Sequence, residues 1–386
     1  MGFFSTDERM RIHQIYTYPI KSLRPTALTE ALVTRHGFPY DRHFMLLKVE
    51  TNEDGSRSLK NMHVPYFPEM TLFLTELVLP DDENGKNQNG KITVTYQPPS
   101  STGKQSETCE VPLQPDVQDL EEFEIVMHES PTKAYNMGDL YNGWFSDCFG
   151  YSVVLAYLGT NRRPVLGSVA PNADTTRKGR QGGDGKAAGW LSAIQSTIPY
   201  LGWKPSSTQG VEAGAGDREG DDDEGITFAD CAAYLVVSQT SVDNVSARLP
   251  SDEEMDVTKF RPNIVVSGAE TAFEEDFWGE LTIGEEGIKV VLTSNCVRCR
   301  SLNVDYATGA YGTGESGKVL RKLMADRRVD KGAKYKPAFG RYGFLVRNHN
   351  HAGEKAPAAD LKVRIGDRVE VSKILSERST FYWPGV

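Results

Sequence analysis

Residues 160–225 constrain the fold more than any other stretch, because their composition resists packing into a core. They are rich in Gly, Asp, Arg, Ser and Pro and end in DREGDDDE (217–224), six acids against one arginine. Such a segment offers too little apolar surface to offset the entropy of ordering it. Disorder is therefore expected over 165–224, and the core has to come from the two flanks. Inside the stretch, WLSAIQSTIPYLGW (190–203) puts Trp190, Ile194, Ile198 and Leu201 on one helical face, with Pro199 bending it. It reads either as a helix docking on a partner or membrane surface, helped by Arg177, Lys178, Arg180 and Lys186, or as a segment that folds back or links.

The first flank reads as short strands. RIHQIYTYPI alternates over Ile12, Ile15, Tyr16 and Tyr18 and breaks at Pro19. RHFMLLKVE is a second strand, followed by the turn NEDGS, and 70–79, 91–96 and 151–158 are further strands. Residues 139–149 suit a helix, with Asp139 as cap and Leu140, Trp144, Phe145 and Cys148 along one side. Many short strands with one or two helices suggest a barrel-like first domain. In the second flank, 228–248 reads as a helix capped by Asp230, and IVV of FRPNIVVSG as a buried strand. LTIGEEGIKVVLTSNCVRC reads as a hairpin turning at Gly284–Gly287. Residues 316–328 read as an amphipathic helix capped by Ser316, its apolar side Val319, Leu320, Leu323 and Met324; 342–346 and 361–372 close the fold as strands. The expected class is mixed α/β, mostly β, with units at 11–160, 161–225 (the insert) and 226–374.

Formal net charge is −10, and the acidic run supplies −5 of it. Without a basic face, generic binding to nucleic acid is not expected. No run of about 18 apolar residues predicts a transmembrane helix. The start, MGFFSTDERMRIHQ, has no apolar core after its basic residues and so predicts neither a secretory signal nor a transit peptide. Five cysteines, 109, 148, 231, 296 and 299, are too few and too scattered for a disulfide framework and point to a reducing, cytoplasmic setting.

The densest chemical signal is NCVRCRSLNVDYATG (295–309). A structural zinc site would need two more ligands at a matching spacing, and none is present. Thioredoxin-like chemistry needs the pair between a strand and a helix N-terminus, whereas here it ends a strand and enters a turn. Two buried thiols remain a plain reading. A one-cysteine metal site is the fourth: on extended chain Cys296 and Cys299 face opposite ways, and Arg298 and Arg300 would favour a Cys299 thiolate. In FRPNIVVSG, Arg261 and Asn263 could hold a phosphate or a heterocycle, or simply start a strand. Lys21, Ser22 and Arg42 supply donors suited to an anion, or belong to an inert loop. Walker, GxGxxG, HExxH and GxSxG motifs are absent.

Taken in order, IYTYPIKSL (15–23), YDRHFMLL (40–47), WFSDCFG (144–150), FADCAAYLVVSQTS (228–241), KFRPNIVVSG (259–268), CVRCRSLNVDYATG (296–309), LRKL (320–323), FGRYGFLV (339–346) and VRIGDRVEV (363–371) resemble the MOSC proteins, named after the C-terminal domain of molybdenum-cofactor sulfurase. Within them the chain is most similar to the amidoxime-reducing components. The resemblance implies an N-terminal β-barrel-like domain packed on a β-rich MOSC domain, with molybdopterin-bound molybdenum (Moco) between them. It implies Cys299 as the metal ligand and Asp305 as a further catalytic position. Lys21, Ser22, Arg42, Arg261, Asn263 and Arg298 are the implied cofactor contacts. It also implies reduction of N-hydroxylated or N-oxide small molecules, with electrons from a cytochrome b5 and its reductase. The alternative is a cofactor or sulfur carrier without turnover. A whole sulfurase is disfavoured, since the chain has no room for a pyridoxal-phosphate aminotransferase-like domain. Two departures stand out: Cys231-Ala232-Ala233 replaces a frequent Thr-Ser-Pro, and Lys60-Asn61-Met62 replaces a usual Thr-x-Arg. The membrane anchor of mitochondrial members is not expected, nor is the ferredoxin-type cluster of bacterial relatives.

Overall fold

The computed structural model describes residues 10–80, 90–171, 225–346 and 361–384. Its first flank forms β1 (Arg11–Thr17), β2 (Thr26–Leu28), β3 (Glu30–Leu32), β4 (Phe44–Thr51), β5 (Arg57–Asn61), β6 (Phe73–Val78), β7 (Lys91–Tyr96), β8 (Glu107–Pro112), β9 (Glu122–Met127), β10 (Ser130–Asn136), α1 (Asp139–Phe149) and β11 (Val153–Tyr157). The second flank adds β12 (Tyr234–Ser238), α2 (Gln239–Ser246), β13 (Ile264–Ser267), β14 (Trp278–Ile283), β15 (Ile288–Val297), β16 (Val304–Asp305), β17 (Ala310–Tyr311), α3 (Val319–Met324), β18 (Ala338–Leu345), β19 (Lys362–Arg364) and β20 (Val369–Ile374). The mostly β class expected from the sequence is what forms.

The strands do not divide at the acidic stretch. An eight-stranded sheet runs β2-β1-β13-β12-β18-β15-β14-β20, so the first strand of the chain is built into the sheet of the second flank. Ile15 of β1 lies opposite Ile264 of β13. Only a crossover can join a parallel pair, and α2 supplies it between β12 and β13. All five residues of β12 are buried, as expected of a strand covered on both faces. A second sheet, β5-β4-β11-β10-β9, curls until its edges meet, where Asn61 Nδ2 donates to the Val126 carbonyl at 2.8 Å. The period of two along β4 feeds two cores: Phe44 and Leu46 join Phe73 and Phe145, while Met45 and Leu47 join Ile125 and Phe228.

Several expectations need correction. In 228–248 the continuous run YLVV is a doubly covered strand, and the helix starts only at Gln239, so Asp230 caps nothing. Helix α1 is capped by Gly138 without a side-chain bond, and Leu140 is 75% exposed while Phe145 and Cys148 are buried. The strand read from 70 starts at Phe73, after a 3-10 turn over Pro68–Leu72. The helix read over 316–328 is a 3-10 turn, Ser316–Lys318, followed by α3, and Ser316 makes no cap. The tail read as one strand breaks into β19, paired with β3, and β20, paired with β14.

The insert was placed from 161, yet its first described residues pack tightly. Arg163 is fully buried, its backbone exchanges two 2.8 Å hydrogen bonds with Ile226, and Val169 is buried too. The segment 190–203 and most of the stretch expected to be disordered lie outside the described residues.

Candidate functional site

Where the start of β12, the approach to β13 and the end of β15 converge on the loop carrying Arg42, a narrow cleft encloses about 70 Å³. Arg42, Arg261, Asn263, Arg298 and Cys299 all line it, five of the eight positions singled out from the sequence. Asp41 sets the first of them. Its buried carboxylate accepts Tyr18 N at 2.8 Å and the Thr17 hydroxyl at 3.3 Å, and its other oxygen holds Arg42. Arg42 then donates to Asn263 Oδ1 and to the Arg261 carbonyl, each at 3.1 Å. Asn263 stitches three strands together: it accepts Leu235 N and donates to the Tyr16 carbonyl. The guanidinium carbons of Arg42 and Arg261 each lie 4.4 Å from the centroid of the buried Tyr18 ring.

This cluster is strained and partly unpaired. Seven described residues other than glycine have positive φ, and three of them are Ser22, Arg42 and Arg261. Each such residue costs about 1–3 kcal/mol, a cost typically retained where it serves a site. Arg261 donates to the Leu23 carbonyl at 2.9 Å, but its Nη2 is buried without a partner. Arg298 donates to the Phe260 carbonyl and to Cys296 Sγ, and its Nε is likewise buried and free. A buried donor with no acceptor calls for an explanation, and an anionic or carbonyl-rich ligand supplies one.

Lys21 and Ser22 stand behind the cleft rather than in it. Buried Lys21 donates to the Phe228 carbonyl and to the carboxylate of Asp230, which does line the cleft. Burial lowers the pKa of Lys21, opposed by Asp230. Lys21 and His128 hold the half-exposed carboxylate of Asp230 well below the ordinary range. The Ser22 hydroxyl faces the Met62 carbonyl at 3.5 Å. Asp305 lies outside the cleft: its carboxylate accepts Ala307 N at 2.9 Å and the Thr308 hydroxyl at 3.1 Å, shaping the turn between β16 and β17.

The two cysteines separate as extended chain requires. Cys296 is buried, and burial raises its pKa although Arg298 pulls the other way; Cys299 is exposed. Of the two arginines expected to favour a Cys299 thiolate, Arg298 lies within electrostatic reach of Cys299. Arg298 gives its hydrogen bonds to Cys296 and Phe260, and Arg300 lies 5.3 Å from the ring centroids of both Tyr66 and Tyr311. Cys299 Sγ has Ser301 Oγ beside it at 3.2 Å. Of the departing segments, Cys231, Ala232 and Ala233 are buried and Met62 is fully buried. Sequence reading missed Tyr18, Asp41 and Tyr342 as parts of the site and misassigned Asp230. Asp41 had a signal, since an acid next to Arg42 on a buried strand approach needs a partner. Tyr342 had none, because only the β15–β18 register brings it here. Among the described residues no cluster of three or more His, Cys, Asp or Glu side chains could hold a metal, and no helix is long and apolar enough to cross a membrane.

A mostly β protein, built on an eight-stranded and a five-stranded sheet with smaller sheets beside them, whose strained, donor-rich cleft ends at an exposed thiol is the class these features define. Residues 9–152 match the MOSC N-terminal beta barrel domain and residues 223–370 match the MOSC domain. The chain belongs to the MOSC-domain family. It is 36% identical over 134 residues to "Mitochondrial amidoxime-reducing component 1" of Danio rerio, covering 34% of this chain and 38% of that protein. It is 38% identical over 118 residues to "Mitochondrial amidoxime reducing component 2" of Rattus norvegicus, covering 30% and 33%. The Homo sapiens component 1 is 34% identical over 127 residues, covering 32% and 35%. The matched stretch thus spans about a third of the length of these relatives.

Proposed function

We propose that the chain is a molybdenum-cofactor oxidoreductase that reduces N-hydroxylated or N-oxide compounds with electrons from an external donor. The observation that carries this reading is the pair of buried, unpartnered donors, Arg261 Nη2 and Arg298 Nε, in a cleft whose rim holds an exposed thiol. A molybdopterin fits that donor set. Guanidinium forks suit its phosphate and ring acceptors, and a thiolate suits a soft metal. When bound, the cofactor supplies the two-electron chemistry. Arg42, Arg261, Asn263 and Arg298 orient it, and Cys299 is its protein ligand. In the net reaction the N–O bond breaks, two electrons and two protons enter, and oxygen leaves as water.

The names of the relatives support the amidoxime-type substrate, and a cytochrome b5 with its reductase is the donor we propose. Metal and pterin analysis of the purified protein is the first test, followed by benzamidoxime reduction with a reduced dye. Stoichiometric molybdenum with dye-driven turnover is expected. NADH should not be oxidised by the protein and substrate alone, because no flavin or nicotinamide fingerprint is present. Protein purified without molybdenum from cofactor-replete cells sinks the proposal.

A further inference from the structure

We infer that the basic loop between α3 and β18, residues 325–337, is the docking surface for the acidic face of a one-electron carrier protein. This rests on the function proposed above, which takes its electrons from outside. Residues 318–336 hold eight Lys and Arg against two Asp, a local charge of +6 in a chain whose net charge is −10. The overall charge hides this face.

The fold turns both acids inward. Asp330 is buried and accepts Asn295 Nδ2 at 2.9 Å and the Phe381 amide at 3.0 Å. Arg248 donates both terminal nitrogens to Asp326, at 2.8 and 2.9 Å. Three of the cations are spent locally as well: Arg327 is buried on Asp276 at 2.7 Å, and Lys318 and Lys322 both pair with Glu315. Arg321, Arg328, Lys331, Lys334 and Lys336 are left outside, all exposed. Lys331 meets only an equally exposed Glu377 at 3.3 Å. The other four side chains have no hydrogen bond or ion pair among the described residues. Tyr335 stands among them, 83% exposed.

The loop ends at the cleft. The Pro337 carbonyl accepts Arg298 N at 2.8 Å, and Ala338 of β18 lies opposite Val297 of β15. Lys336 therefore stands one residue before this junction and Cys299 one residue after it. Exposed Arg300 carries the positive surface past the thiol, between Tyr66 and Tyr311. A carrier seated on the loop is thus adjacent to the thiol end of the cleft. Electron-transfer encounters bury little area and depend on charge steering more than on tight packing. Unpaired cations around one exposed aromatic ring meet that need. Each turnover takes two dockings: two reduced carriers leave as two oxidised ones, and their two electrons, with two protons, break the N–O bond and release water.

The probe is a soluble cytochrome b5 haem domain of net negative charge, with a c-type cytochrome of net positive charge as control. Calorimetry should show the wild type binding the anionic probe alone, and less tightly as added salt shortens the Debye length from about 30 to about 10 Å. Lys331→Glu, Lys334→Glu and Lys336→Glu combined should weaken binding roughly 10–100-fold, and the matching Gln substitutions by less. KM for the haem domain should rise by the same factor, while benzamidoxime reduction driven by a small reduced dye stays at the wild-type rate, which also shows that the variant is folded. No binding by the wild type, equal binding by the charge-reversed protein, or equal binding of the cationic control overturns the assignment. So does tighter binding of an RNA or DNA oligonucleotide in direct competition, which would make the face a nucleic-acid surface. A failure of dye-driven reduction overturns the preceding function and leaves the binding result standing, which separates the two.

Discussion

Two buried arginines show how framework and site differ in this molecule. Arg163 spends its guanidinium on backbone carbonyls: Thr227 and Ala229 on one side, Met127 on the other, with Ser130 at 3.5 Å. Arg261 is just as much a product of the fold, yet it sits in a left-handed backbone conformation and keeps one nitrogen unpartnered. Arg163 ties the loop leading to Asp230 onto the β9–β10 hairpin. Arg261 is held in place and left unfinished. A free donor alone does not mark a site, since Arg341 is fully buried with an unpartnered Nε among framework bonds; what sets Arg261 apart is a free donor that lines the cleft on a left-handed backbone.

The same contrast divides the cysteines, and it predicts the largest effect. Cys299→Ser should abolish turnover and alter the metal's absorption and paramagnetic spectra, because only the exposed thiol is free to ligate. Cys296→Ser should stay within a few-fold of wild type, since a hydroxyl can still face Arg298. Molybdenum content, spectra and rate recorded side by side decide it. Full activity in Cys299→Ser, or loss confined to Cys296→Ser, breaks the contrast.

The arginines themselves come next. Arg163→Ala removes charged hydrogen bonds to buried carbonyls, each worth about 1.5–3 kcal/mol, so several kcal/mol of stability should go, read by urea unfolding. Arg261→Ala should cost less stability but weaken cofactor retention by roughly 10–100-fold, the equivalent of one charged hydrogen bond. Dialysis under dilute, cofactor-limited conditions followed by molybdenum analysis measures it. If Arg261→Ala unfolds the protein while keeping its cofactor, the two arginines have been assigned backwards.

Much of this was legible because it is local. Strand period and turn residues gave β1, β4, β7, β11 and the β14–β15 hairpin, and the helix over Asp139–Phe149 was placed at its observed ends. The readings that failed are those decided by tertiary context. YLVV at 234–237 has no period of its own, so a doubly buried strand looked like the start of a helix. Arg163 sits in a Gly- and Pro-rich stretch whose composition argues against order, and only its carbonyl partners, between 33 and 66 residues away, make it part of the core. The residues of the cleft were legible as types but not as a constellation. The resemblance to MOSC proteins brought Lys21, Ser22 and Asp305 together with the others, whereas the fold puts the first two behind the cleft and the third in a turn.

The smallest expected effect probes the limit of the contrast itself. Glu275 is fully buried and its Oε1 has no partner, so it shares the free buried atom of Arg261. It lines no part of the cleft, and its other oxygen accepts the Ser241 hydroxyl at 2.7 Å. Here a proton resolves the conflict. Burial raises its pKa to about 7, opposed by the Ser241 bond. Because the folded pKa exceeds the unfolded value near 4.5, the native state binds the extra proton, and the associated stability is fully present below pH ~4.5. It is lost progressively as pH rises towards about 7 and is flat above that. Between pH 6 and 8 the wild type should lose on the order of 1 kcal/mol through this group. Glu275→Gln, which keeps an acceptor for Ser241 and carries no charge, should lose that much less. Urea unfolding of both proteins at the two pH values isolates the difference. Parallel pH profiles would mean that Glu275 stays ionised with its oxygen unpartnered, a framework group left unsatisfied as Arg341 Nε is outside the cleft.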